Sequence, residues 1–141
     1  MLRKEGGFTS LEALGALLIS FAALILFLVF SGNLGIGFTV NGTAKQAGEA
    51  LANDAAAQGC LTTQGEQAAQ AILQAGGMDP AKAVFSTTDG GARQTYGAPF
   101  TVSLSYPWQT GGAYQGNYTL LFSQTVISAW NGAAAAETCA G

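Results

Sequence analysis

The chain has 141 residues, of which 49% are hydrophobic and only 9% charged, where an ordinary soluble domain carries about 25% charged residues. Five Lys or Arg against eight Asp or Glu give a net charge of -3 and no basic run to neutralise phosphates, so direct nucleic-acid binding is not expected. The absence of histidine removes the commonest general base and metal ligand together with Ser-His and Cys-His pairs, and with no paired carboxylates an enzyme, a cofactor or a metal site is not expected.

The apolar surplus lies at the front. A short leader, MLRKEGG, carries Arg3 and Lys4, which orient the N-terminus toward the cytoplasm by the positive-inside rule. Residues 13–30 then read ALGALLISFAALILFLVF, and no charge falls between Glu12 and Lys45. A helix over 8–30 would rise about 35 Å, enough to cross a hydrocarbon core of about 30 Å. A buried core helix is the bland alternative, but a domain of this size has too little other apolar mass to surround a helix that is hydrophobic on all sides. A secretory signal peptide is a second alternative, with Val29-Phe30-Ser31 as its cleavage site. Glu12 counts against it. A carboxylate at membrane depth costs roughly 2.5–3.5 kcal/mol on insertion scales and persists where a partner neutralises it.

The segment Gly6-Gly7-Phe8-Thr9-Ser10-Leu11-Glu12 resembles the processing motif of type IV prepilins, the class III leader: a basic leader ending in Gly, then Phe, then a Glu fifth in the mature chain. The resemblance implies cleavage between Gly7 and Phe8 by a membrane prepilin peptidase, N-methylation of Phe8, and pairing of Glu12 with the amine of a neighbouring subunit. It also implies other copies of the chain, the pilus assembly machinery and the membrane as partners. The chain would sit in the cytoplasmic membrane before assembly and in an extracellular filament after it. The new amine has a reference pKa of about 8 and is cationic at neutral pH. Phe8 and Glu12 are four apart and also face each other within one helix, but the resemblance favours the intermolecular pair, which sets axial register more than it adds net stability. An uncleaved anchor with Glu12 at the water interface is the alternative.

Glycines at 32, 35, 37 and 42 each cost a helix about 1 kcal/mol relative to alanine, which predicts a weakened or unwound stretch over 31–43. No GK[ST] follows, so a phosphate loop is not expected. Residues 44–58 then read as a helix with Ala44, Ala47, Leu51 and Ala55 on one stripe, ended by Gly59. Thr63-Gln64-Gly65-Glu66 fits a capping box, with Ala68, Ala69, Ile72 and Leu73 as the buried face and Gly76-Gly77 as the stop. Residues 83–87 read as a short strand before an Asp89-Gly90-Gly91 turn. Phe100, Val102, Leu104 and Tyr106 alternate with polar residues in the clearest strand, expected to stop at Pro107. Residues 118–130 form a last strand, in which Leu120, Phe122 and Val126 oppose Leu121 and Ile127, so a bulge or a two-sided contact is expected.

The predicted class is therefore α+β: a long hydrophobic N-terminal helix carrying a small antiparallel β-sheet head. The predicted boundaries are a leader over 1–7, a membrane or filament-core helix over 8–30, a glycine-interrupted continuation over 31–59 and a globular head over 60–141. This layout resembles pilin heads and, more loosely, tight-adherence minor pilins, through Tyr106-Pro107 and the last long strand. Cys60 and Cys139 lie outside the membrane in the leader-set orientation, where an even pair reads as a disulfide, free thiols or intermolecular bridges being the alternative. A disulfide-bounded C-terminal loop is also similar to that of many type IV pilins. Trp108, Tyr114 and Tyr118 beside a Gly-rich loop read as core or subunit contacts, or as an adhesive surface. Two function classes result: a cleaved structural subunit (major pilin, minor pilin or secretion pseudopilin), and an uncleaved single-pass protein with a binding head.

Overall fold

The structure is a computed structural model and describes residues 10–110, 116–133 and 136–140. It has the expected α+β architecture: α1 (Ser10–Gln58), α2 (Thr63–Ala75), a single 3-10 turn (Pro80–Lys82), and strands β1 (Val84–Thr87), β2 (Pro99–Thr110) and β3 (Gly116–Ile127). The strands form one antiparallel sheet in the order β1-β2-β3. The chain divides into two compact units between Phe38 and Thr39. The second unit, the body, therefore starts inside α1.

The first unit contributes residues 10–38 of α1. The expected unwinding over 31–43 does not occur, and all of these residues are helical. Glycine lowers helix propensity but keeps its N–H and C=O in the i→i−4 ladder, and no proline interrupts the segment. The Thr43 hydroxyl also donates to the Thr39 carbonyl at 3.0 Å.

The second unit is built around the predicted stripe of α1. Ala44, Ala47, Leu51 and Ala55 are all buried, against Ala69 and Leu73 of α2 and Phe100, Val102, Leu104 and Tyr106 of β2. Small residues on α1 let it approach the sheet closely. At Gly48 an added Cβ would collide with the Phe122 ring of β3, so glycine is the residue that fits. Met78 closes the end of the core, and the buried Tyr106 hydroxyl accepts from the Asp79 N–H at 3.0 Å.

Three local expectations are corrected. Thr62, not Thr63, is the N-cap of α2: it has extended backbone angles and its hydroxyl accepts from the Gly65 N–H at 2.8 Å. The same hydroxyl donates to Asp54 of α1 at 2.5 Å, a partner that only the folded chain supplies and that selects between two adjacent threonines. The buried face of α2 accordingly reads Gly65, Ala69, Leu73, with Ala68 exposed.

Strand β2 also runs through Pro107 to Thr110. Thr101 directs both its N–H and its C=O at Thr88, so the odd-numbered residues of β2 face β1. Strand β1 begins at Val84, opposite Ser105, and at Pro107 there is no strand to receive the missing N–H. Finally, β3 has no bulge. It pairs one-to-one with β2 from Gly116↔Thr110 to Ile127↔Pro99, and Leu121 and Ile127 are exposed on the outer face.

Candidate assembly surface

Residues 10–38 of α1 hold the most unusual surface in the chain. Every Leu, Ile, Val and Phe from Leu14 to Phe38 is at least 46% exposed. Leu24 through Phe30 are seven successive apolar positions, and at 100° per residue they point in all directions, so the helix has no polar face. A buried large apolar side chain is worth about 1.5–3 kcal/mol, so removing this surface from water is favourable by an amount on the order of 20 kcal/mol. Among the described residues α1 is the one helix long and apolar enough to cross a membrane. Ser20 does not break the pattern, since its hydroxyl donates to the Ala16 carbonyl at 2.9 Å and leaves no polar demand on the surroundings.

Glu12 lies exposed in the first turn of α1. A carboxylate there meets the positive end of the helix dipole, worth about 0.3–1 kcal/mol at an exposed site. Gly7 and Phe8 lie outside the described residues, as does Tyr114. Trp108 and Tyr118 come together across β2 and β3 with ring centroids 6.1 Å apart. Trp108 packs against the core while Tyr118 is exposed, so the pair is both a core edge and a surface.

Cys60 and Cys139 are joined, with Cα atoms 5.8 Å apart, so the free-thiol alternative does not describe this chain. The bond is one part of a clasp between the C-terminal segment and the turn after α1. Gly59 makes that turn at φ +73°, and a Cβ there would lie 2.7 Å from the Gln94 carbonyl. The Thr63 N–H donates to the Thr138 carbonyl at 3.1 Å, and the Ala140 N–H donates to the Leu61 carbonyl at 2.7 Å. The Glu137 N–H donates to the Gln58 side chain at 3.2 Å. Arg93 crosses the clasp: its guanidinium lies 4.1 Å from the Trp130 ring centroid and donates to the Glu137 carbonyl at 2.5 Å.

Sequence reasoning missed Arg93, Trp130 and Glu137. The signal was present in the charge pattern, since Arg93 is the single charged residue between Asp89 and Glu137. In a chain this poor in charge, a lone cation held at one place has a structural task.

Comparison with protein-family models, curated proteins and solved structures returns no match to this chain.

Proposed function

We propose that the chain is a structural subunit of a type IV pilus-like extracellular filament. In this reading a prepilin peptidase cuts between Gly7 and Phe8, Phe8 is N-methylated, and the apolar part of α1 moves from the membrane into the filament core. The body, locked by Cys60–Cys139, forms the outer surface. No catalytic role is proposed.

The observation that carries the reading is the pairing of an all-round apolar, exposed helix with Glu12 in its first turn, shortly after a basic leader that ends at Gly7 and is followed by Phe8. Such a helix needs a water-free environment on every side, which both a bilayer and a bundle of identical helices supply. A carboxylate at the head of that helix is costly unless a cation meets it, and cleavage at Gly7 creates an α-amine suited to do so. A minor pilin or a secretion pseudopilin uses the same parts.

Intact-mass analysis of the surface protein from its native host tests the processing step. The mature chain begins at Phe8, carries one methyl group and lacks residues 1–7. A retained leader on surface material favours the uncleaved single-pass anchor instead.

A further inference from the structure

Strand β3 is an edge of a kind that secreted proteins usually guard. It is long, regular and unbulged, and Gly116–Ile127 contains no charged residue and no proline. Such an edge is a template for another strand. Even-numbered residues of β2 face β3, so the odd-numbered residues of β3, including Leu121, Ser123 and Thr125, direct their N–H and C=O groups away from the sheet. On the opposite edge, Phe85 and Thr87 of β1 direct theirs outward, because Ser86 and its even-numbered neighbours face β2.

The two edges match. On the solvent face of the sheet the cross-strand rows read Val84–Ser105–Leu121, then Ser86–Ser103–Ser123, then Thr88–Thr101–Thr125. Each row thus begins and ends on residues of one chemical kind. Within the molecule the rows are already linked, since the Ser103 and Ser123 hydroxyls lie 3.1 Å apart and those of Thr101 and Thr125 lie 2.9 Å apart. The apolar row ends in exposed side chains on both edges, Val84 at 59% and Leu121 at 71%.

We infer that β3 of one copy pairs in parallel with β1 of a second copy, extending the sheet between molecules. Because β1 and β3 both run antiparallel to β2, they are parallel to each other, and a copy placed alongside presents β1 to β3 in the sense a parallel ladder requires. Leu121 then stands across from Val84, Ser123 across from Ser86 and Thr125 across from Thr88. The hydrogen-bond phase is also right. In a parallel pair a residue that bonds outward stands opposite one that does not, bonding to the residues on either side of it. Leu121 opposite Val84 bonds to Ala83 and Phe85, and Ser123 opposite Ser86 bonds to Phe85 and Thr87. Strand twist rotates each added body by about 60–75° over three strand steps, so the contact is heterologous and propagates. The inference rests on the sheet alone and stands apart from the filament reading.

Cysteine cross-linking of the full chain, in membranes or sheared material, tests it. A chain carrying both Val84→Cys and Leu121→Cys, oxidised mildly and run on a non-reducing gel, gives a ladder of multimers, while each single variant gives monomer. Adding Ser123→Pro to the double variant abolishes the ladder, because it removes an outward N–H and leaves the main-chain bonds to β2 intact, as Pro107 does in β2. Ser123→Ala, which removes the same hydroxyl contact to Ser103 but keeps the N–H, leaves the ladder in place. Dimers from Leu121→Cys alone would mean that β3 meets β3, and would overturn the proposal. Monomer from the double variant would overturn it too. Filaments without the ladder sink this inference and spare the filament reading, whereas a ladder on membranes that yield no filaments does the reverse.

Discussion

Removing the clasp disulfide is the sharpest test of how the body is held together. Cys60 and Cys139 are separated by 79 positions, and in the chain-entropy model a loop of that size restricts the unfolded state by roughly 4–5 kcal/mol. The hydrogen bonds at Thr63, Glu137 and Ala140 and the Arg93 contact stay available in the folded state. Each is worth about 0.5–1.5 kcal/mol net, so the reduced tail still docks and the loss is chiefly the loop term. For a unit of about 100 residues, 1 kcal/mol shifts the melting temperature by about 4–8 °C, and engineered changes commonly realise less than the full loop term. The double variant Cys60→Ser/Cys139→Ser, in full-length protein in detergent, should lose about 15–25 °C in a near-ultraviolet circular dichroism melt. Far-ultraviolet helicity from the apolar part of α1 should persist after the body has melted, because that segment keeps its main-chain hydrogen bonds in an apolar phase. A loss below about 3 °C would refute the reasoning, and would mean that the docked tail holds the body without the bond.

Two further perturbations address packing and charge. Gly48→Ala gains about 1 kcal/mol of helix propensity but drives a methyl into the Phe122 ring, so it should destabilise the body by about 1–2 kcal/mol in urea titrations, and should become stabilising in a Phe122→Ala background. An unchanged sign between the two backgrounds would show that the helix does not approach β3 as described. Burial raises the Glu66 carboxyl above its ordinary 4.5. The folded state then binds that proton more tightly than the unfolded state, so the contribution is fully present below about pH 4.5 and is lost as pH rises through the raised value. Glu66→Gln should therefore be more stable than the native chain at neutral pH and equal to it in acid. The reverse order in urea midpoints across pH would contradict the burial.

What the sequence made legible follows from period and composition. The alternation from Phe100 to Tyr106 marks the buried face of β2, and the stripe Ala44, Ala47, Leu51, Ala55 marks the face of α1 that meets it. Both are local patterns that tertiary contacts reinforce. The features that escaped depend on partners distant in the chain. Thr62 is chosen as cap by Asp54, eight residues earlier, and Pro107 is tolerated because β1 has already ended on the side it faces. Residues 31–43 stay helical against expectation for another reason: glycine propensity is a small per-residue penalty, and it loses to an uninterrupted hydrogen-bond ladder. In the candidate site, the exposed apolar helix and the cysteine pair were readable from residue type and position. The Arg93 clasp was not, because Trp130 and Glu137 reach Arg93 only once the C-terminal segment has folded back.

The central proposal, assembly through the apolar helix and Glu12, is tested most directly by electron microscopy of material sheared from cells expressing the native chain or Glu12→Ala. The account predicts filaments from the native chain and a severe loss of filaments from the variant, with insertion and cleavage after Gly7 intact, because the incoming α-amine would lose its counter-charge. Undiminished filaments from Glu12→Ala, or none from the native chain under expressing conditions, would contradict it.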